Sequence, residues 1–208
     1  MRRVVVLAIL ALALPIAAWA DIIVTNQFGS ISISSAGVTS TGSQLKSWFA
    51  INAPAGHSLG SVSFSTGALT SGSIAAGGQF AGGGSFDVFG TGTWAKTLTG
   101  CPHCKNPITL FTGSFVGPVT WTLTSAPGVK DLTYTLSGAI SGTLWDGRKI
   151  SGTTTQNIYT VNGQLTQGIG HIKVGTTNLT VPEPGTLGLL GTGLVGIAGM
   201  FRRKLIGA

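Results

Sequence analysis

Residues 119–166 read VTWTLTSAPGVKDLTYTLSGAISGTLWDGRKISGTTTQNIYTVNGQLT, and this stretch decides the fold. Val119-Thr120-Trp121-Thr122-Leu123-Thr124 and Leu132-Thr133-Tyr134-Thr135-Leu136-Ser137 alternate apolar with hydroxyl side chains. A period of two puts one set on each face of a strand. Asp146-Gly147 lies between Thr143-Leu144-Trp145 and Lys149-Ile150-Ser151, and Asn162-Gly163 between Ile158-Tyr159-Thr160-Val161 and Gln164-Leu165-Thr166. Both dipeptides suit the two left-handed positions of a type I′ hairpin turn. Pro127-Gly128 marks a further reversal, so this half of the chain is expected to run as an antiparallel meander of four or five strands.

The same alternation recurs upstream in Ile31-Ser32-Ile33-Ser34 and Val62-Ser63-Phe64-Ser65. Between Gly67 and Gly92 the pattern thins into Gly77-Gly78 and Gly82-Gly83-Gly84, which suits loops, tight sandwich strands or the rungs of a β-solenoid. No fixed period runs through it, and no window of helical length shows a charged face opposite an apolar one. The reading for residues 21–180 is therefore all-β: a single antiparallel β-sandwich or barrel-like domain. Trp94, Trp121, Trp145, Phe64, Phe86, Phe89 and Tyr134 are its candidate core.

Only 8% of the 208 residues are charged, while glycine alone numbers 33. Neutral hydroxyls, not charges, keep such a body in water. The formal net charge of +7 suggests an anionic partner until the charges are located. Arg2, Arg3, Arg202, Arg203 and Lys204 lie in the end segments. The body keeps seven Lys and Arg against four Asp, a balance of +3, and these form no basic stripe. Nucleic-acid binding, which needs many clustered phosphate contacts, is excluded as a reading.

Both ends read as addresses. Residues 1–20 carry the three parts of a secretory signal: Arg2-Arg3, an apolar run from Val4 to about Leu14, and the small-residue ending Ala18-Trp19-Ala20. Cleavage there leaves Asp21 first. Residues 181–208 carry Pro182-Glu183-Pro184, an apolar Gly-rich segment from Thr186 to Phe201, and the cluster Arg202-Arg203-Lys204. That segment is about 24 Å long as a helix against roughly 30 Å of hydrocarbon, enough to span with local thinning. The basic cluster would then stay on the cytoplasmic side, leaving the body outside.

Motifs that carry chemistry are few. Cys101-Pro102-His103-Cys104 resembles the redox motif of thiol oxidoreductases, in which a thiolate sits at a helix N-terminus. The likeness covers four residues, Pro107 is a poor continuation of such a helix, and no βαβ pattern flanks it. An exported chain meets an oxidising compartment, so a structural disulfide between Cys101 and Cys104 is the expected alternative. Zinc wants four ligands, and this run with His103 offers three, His57 and His171 being distant; neither a metal nor a cofactor is expected. Gly191-Thr192-Gly193-Leu194-Val195-Gly196 matches the dinucleotide fingerprint but lies in the apolar tail. Gly90-Thr91-Gly92-Thr93-Trp94-Ala95 matches its looser form and is read as opening no helix. The body has no Glu and no Gly-x-Ser-x-Gly, so no catalytic residue is assigned.

Val181-Pro182-Glu183-Pro184, the Gly-rich apolar segment and Arg202-Arg203-Lys204 together resemble the PEP-CTERM sorting domain of exported bacterial proteins. The resemblance implies recognition by an exosortase, a membrane protease, with the tail held in the inner membrane and removed near Pro182-Glu183-Pro184. It also implies delivery to the cell envelope, surface or extracellular matrix, with exopolysaccharide as a partner. It says nothing about the body. The function expected is that of a non-enzymatic surface or matrix protein; the alternatives are a carbohydrate- or matrix-binding β-sandwich and an exported thiol oxidoreductase using Cys101 and Cys104.

Overall fold

A computed structural model describes residues 21–125, 131–160 and 169–180. Its elements, in chain order, are β1 (Ile22–Gln27), β2 (Ser30–Ser34), β3 (Gly37–Trp48), β4 (Ile51–Asn52), β5 (Gly60–Ser65), β6 (Leu69–Ser73), β7 (Gly77–Phe80), β8 (Gly83–Gly90), helix α1 (Thr93–Thr99), β9 (Ile108–Phe115), β10 (Val119–Leu123), β11 (Thr133–Leu144), β12 (Lys149–Tyr159) and β13 (Ile169–Thr180). Four pairs of short strands are single courses interrupted by a bend. Both β1 and β2 run antiparallel to β3 and β13; both β9 and β10 run antiparallel to β11. The β5–β6 and β7–β8 pairs behave in the same way.

Counted as courses, the sheet has eight staves in sequence order: β1–β2, β3, β5–β6, β7–β8, β9–β10, β11, β12 and β13. Each is antiparallel to the next, and β13 returns to pair with the first through Ile22↔Leu179, Asn26↔Gly175 and Ile31↔Gly170. The body is thus an eight-stave up-and-down barrel, the second of the two architectures expected. Its exit end carries Ile22, the 49–59 loop, the 91–107 segment with α1, the 145–148 turn and Thr180. The other, far end carries the short reversals at 35–36 and 74–76.

The glycines with no sequence period find their reason at the bends. The courses break at Gly67, Gly82 and Gly117, on neighbouring staves, where backbones approach closely. A Cβ on Gly82 would stand 2.5 Å from the Gly117 carbonyl oxygen, and one on Gly67 would stand 2.7 Å from that of Gly82. The spacing follows three-dimensional contact between staves, so it shows no repeat along the chain.

Alternation sorts the side chains as the sequence suggests. Thr39, Thr109, Thr120, Thr122, Ser151, Thr153 and Thr155 are exposed on the outer wall, while the interior is largely apolar. This is the reverse of a membrane-spanning barrel, whose outer band is apolar. Among the described residues no helix is long and apolar enough to cross a membrane. One side of the core is aromatic. Phe86 lies 6.0 Å from Phe64, 6.1 Å from Phe115 and 6.3 Å from Phe111, mostly edge to face. Trp121 and Tyr134 stack at 4.5 Å. Of the candidate core, Phe64, Phe86, Trp121 and Tyr134 are buried, whereas Trp94, Trp145 and Phe89 are only half-buried. Trp48, Phe80, Phe111 and Phe115 are the other buried aromatic residues among those described.

Opposite the aromatic side, the staves that close the ring bury a polar ladder. Asn26 and Gln156 pair reciprocally: Asn26 Nδ2 donates to Gln156 Oε1 at 3.0 Å, and Gln156 Nε2 donates to Asn26 Oδ1 at 3.3 Å. Asn26 Nδ2 also donates to Ser43 Oγ at 2.8 Å, Gln156 Nε2 to Thr154 Oγ1 at 2.9 Å, and Thr154 shares a hydroxyl bond with Thr177 at 2.8 Å. All five residues are fully buried, so these bonds replace water that none of them can reach. The two amides belong to β1 and β12, and Gly175 on β13 stands opposite each of them. A Cβ there would overlap Gln156 Oε1 and Asn26 Oδ1. The amides meet because position 175 has no side chain.

Two sequence expectations change here. The Asp146-Gly147 turn is not type I′, because Gly147 alone has positive φ, 84°. Gly147 N donates to Leu144 O and Leu144 N to Arg148 O, which makes a three-residue loop with a glycine bulge. Asp146 closes it by accepting from the Arg148 backbone N at 3.1 Å and side-chain Nε at 2.6 Å. Second, Thr93–Thr99 is a helix, so the Gly90–Ala95 glycine pattern does precede one. Seven residues are too few to show helical periodicity in a sequence. The Asn162-Gly163 and Pro127-Gly128 turns, residues 1–20 and residues 181–208 lie outside the described residues.

Two measurements check this architecture. Gly175→Ala is expected to destabilise the barrel by about 1–3 kcal/mol in denaturant unfolding, as overpacking at a site with no slack does. Adding Gln156→Ala, which vacates the space, should recover part of that loss. Burial raises the pKa of the Tyr134 phenol, whose hydroxyl donates to Ala75 O at 2.8 Å. The folded pKa then lies above the unfolded one, so this contribution is full below about pH 10 and is lost as pH rises through the folded value. Stability should fall above about pH 10, and less steeply in Tyr134→Phe.

Candidate functional site

Three regions invite a functional reading: the cysteine loop, a groove on the barrel wall, and the sequence that follows the last stave.

The cysteine loop belongs to the exit end. Helix α1 ends at Gly100, φ 66°, whose N–H donates to Thr97 O at 3.2 Å; Cys101 N donates to Lys96 O at 2.9 Å. This is a Schellman stop, with glycine in the left-handed position. Cys101 and Cys104 are joined as a disulfide, with Cα atoms 5.4 Å apart. The cysteines therefore follow the carbonyl end of a helix, while a reactive thiolate is stabilised at the amide end. His103 is exposed, and His57 and His171 belong to the 49–59 loop and to β13. Among the described residues no three His, Cys, Asp or Glu side chains gather to hold a metal. The short helix is followed by an antiparallel strand, so the Gly90–Ala95 pattern lacks the parallel βαβ frame of a dinucleotide site.

The groove opens toward the far end. It measures about 430 Å³ and is lined by Phe28, Asp131, Thr133, Tyr159, Ile172 and Lys173. Phe28 sits at the bend between β1 and β2 with φ 62° and is 55% exposed. A bulky side chain is disfavoured in that left-handed region and also in that exposure. Backbone bonds hold it there: Phe28 N donates to Ile172 O at 3.0 Å, and Ile172 N to Gly29 O at 3.3 Å. The Lys46 ammonium stands 5.1 Å from the Phe28 ring centroid. Tyr159 lies 5.7 Å from His171, ring to ring. Two aromatic walls with an ammonium and a carboxylate make a polar, ring-lined trough. Alternation gave no sign of it, because Phe28 lies at a bend, outside any strand.

Last comes the sequence beyond Thr180. The fold itself defines a closed, hydroxyl-coated antiparallel barrel whose final stave leads directly into the Pro182-Glu183-Pro184 sequence. Residues 180–204 match the family model described as the PEP-CTERM protein-sorting motif. Neither a curated protein nor a solved structure matches the chain. The chain is an exported protein that carries the recognition tag for exosortase processing and is anchored to the membrane in transit. Pro182, Glu183, Pro184, Arg202, Arg203 and Lys204 all fall within the matched segment; Ala18 and Ala20 lie outside it and outside the described residues.

The disulfide closes a loop of only four residues, for which chain entropy sets a ceiling of about 2 kcal/mol. The paired substitution Cys101→Ser, Cys104→Ser is expected to lower stability by no more than that while leaving the β-rich circular dichroism spectrum intact. Loss of the spectrum would mean that the loop holds the barrel itself.

Proposed function

We propose that the barrel is a non-enzymatic component of the bacterial cell surface or extracellular matrix, delivered there by its sorting tail. The carrying observation is the PEP-CTERM motif that begins at residue 180, the last residue of the barrel. In the interior, the amides and hydroxyls of Asn26, Ser43, Thr154, Gln156 and Thr177 bond to one another across four staves, a use of polar groups that serves the register of the barrel. The wall supports the reading: neutral hydroxyls stay hydrated beside a polysaccharide without attracting ions.

Mass spectrometry of the protein from its host is the direct test. The C-terminus is expected near Pro182-Glu183-Pro184, and replacing these three residues should leave the intact Ala208 end and keep the protein in the membrane fraction. An intact end in the unmodified protein would replace processing with permanent anchoring.

The groove favours a second reading, in which the body binds carbohydrate. Aromatic rings pack against the apolar faces of sugar rings, and Asp131 and Lys173 supply an acceptor and donors for hydroxyls. Phe28→Gly separates this from a structural role. Glycine accepts the left-handed backbone freely, so stability should hold or rise by up to about 1 kcal/mol. Retardation in affinity gels cast with the host exopolysaccharide should nevertheless be lost. Equal retardation of variant and parent would remove the groove from the argument.

A further inference from the structure

The exit end of the barrel differs in kind from its wall. Five large hydrophobic side chains are exposed among the described residues, and three stand together at this end: Ile23 at 48%, Phe49 at 51% and Ile51 at 36%. They are held as a group by backbone bonds. Phe49 N donates to Ile23 O at 2.9 Å, and Ile51 pairs with Trp48 across a two-residue reversal formed by Phe49 and Ala50. Phe49 carries φ 55°, the second non-glycine residue in the left-handed region. A turn with this geometry ordinarily takes glycine at that position. Here a phenyl ring occupies it and points away from the core, in a reversal that a smaller residue would make with less strain. An exposed aromatic in a strained backbone is an observation that asks for a binding partner.

The charges of this end supply the second observation. Lys96 on α1, Lys105 beyond the disulfide and Lys149 at the start of β12 all belong to it, and so does Arg148, ion-paired with Asp146 at 2.6 Å. Against these stand Asp21 and Asp146. At the far end the described charges are Asp131 and Lys173, one of each sign. Cations at the same end of the barrel as exposed Phe and Ile are the surface chemistry that suits an anionic lipid interface, where rings and aliphatic chains enter the headgroup layer and ammonium groups meet phosphates.

Chain length supplies the third. Five residues, 181–185, separate Thr180 from the apolar segment that starts at Thr186, and fully extended they reach at most roughly 20 Å. While the tail anchors the protein, the end of the barrel bearing Thr180 cannot move far from the bilayer surface. From these observations we infer that the exit end, through Ile23, Phe49 and Ile51 together with Lys96, Lys105 and Lys149 of the same end, rests on the anionic lipid surface of the membrane in which its own tail is anchored. The inference depends on the tail acting as an anchor before processing. Contact is made while the tether holds the two together. Removal of the tail lowers the effective concentration of the surface, and three side chains with a few cations release far more readily than a spanning helix.

The test uses the full chain reconstituted through its tail into vesicles, either phosphatidylglycerol with phosphatidylcholine in equal parts or phosphatidylcholine alone. Flotation is scored first, then amide hydrogen exchange. The expected result is flotation with both lipids, and at least fivefold slower exchange over residues 49–53, 103–106 and 146–149 on the anionic vesicles only. The 35–36 and 74–76 reversals should exchange alike on both. The slowing should vanish in 0.5 M salt and in the double variant Phe49→Gly, Ile51→Thr, whose replacements suit a turn and a strand and keep the barrel folded. Flotation without slowing at this end, or slowing at the far end instead, overturns the inference and leaves the anchor standing. Failure to float overturns both. Slowing that persists on neutral vesicles overturns the electrostatic part and with it the assignment to anionic lipid.

Discussion

The fold depends on one closure, the pairing of β13 with the first stave. An open sheet of these strands would leave the edges of β1–β2 and β12 unpaired, and only the return of β13 removes both edges. A one-residue slip in that pairing would exchange the inner and outer faces of a whole stave. The buried amide pair resists the slip. Asn26 and Gln156 reach across Gly175, so each of the three staves has one register in which donors and acceptors are satisfied. In any other register an amide would be buried without partners, or a side chain on β13 would occupy the space they need. Buried polar groups add little net stability over a well-packed apolar core, but they discriminate strongly between arrangements. The aromatic cluster on the opposite side supplies bulk; the ladder supplies uniqueness.

Much of this was legible beforehand, and the illegible parts share a cause. Alternation identified the strands around Ile31, Val62, Trp121 and Tyr134, because a strand with one wet face writes its period into the chain. The alternation could not distinguish sandwich from barrel, since closure is a relation between residues about 150 positions apart. The glycines at 67, 82 and 117 resisted interpretation for the same reason: each is required by a neighbour on another stave. Phe28 and Phe49 were invisible to pattern reading because they sit at a bend and a turn, and α1 because it lasts two turns. The sorting motif, by contrast, was legible directly. A sorting signal must be read as a linear sequence by another protein, so its meaning cannot be hidden in folding.

The division of chemistry along the chain follows from the same distinction. The end segments hold five of the twelve basic residues, and they accounted for most of the charge that suggested an anionic partner. The barrel has few charges, and those among its described residues are weighted toward the exit end. Cys101 and Cys104 staple a loop beyond the strands and follow the carbonyl end of α1, whereas the thiolate of the redox motif they resemble sits at an amide end. What distinguishes the body is its surface: hydroxyls on the wall, rings in one trough, and exposed apolar and cationic side chains at one end.

Closure also sets an order of events in time. Translation and export proceed from the N-terminus, so β1 through β12 are available before β13, and for that interval the sheet has two raw edges open to any other strand. The last stave and the sorting motif are adjacent, residue 180 to residue 182. The segment that seals the barrel therefore emerges at nearly the same moment as the segment that arrests the chain in the membrane. Adjacency in sequence thus ties the stave that removes the open edges to the motif that holds the chain in transit.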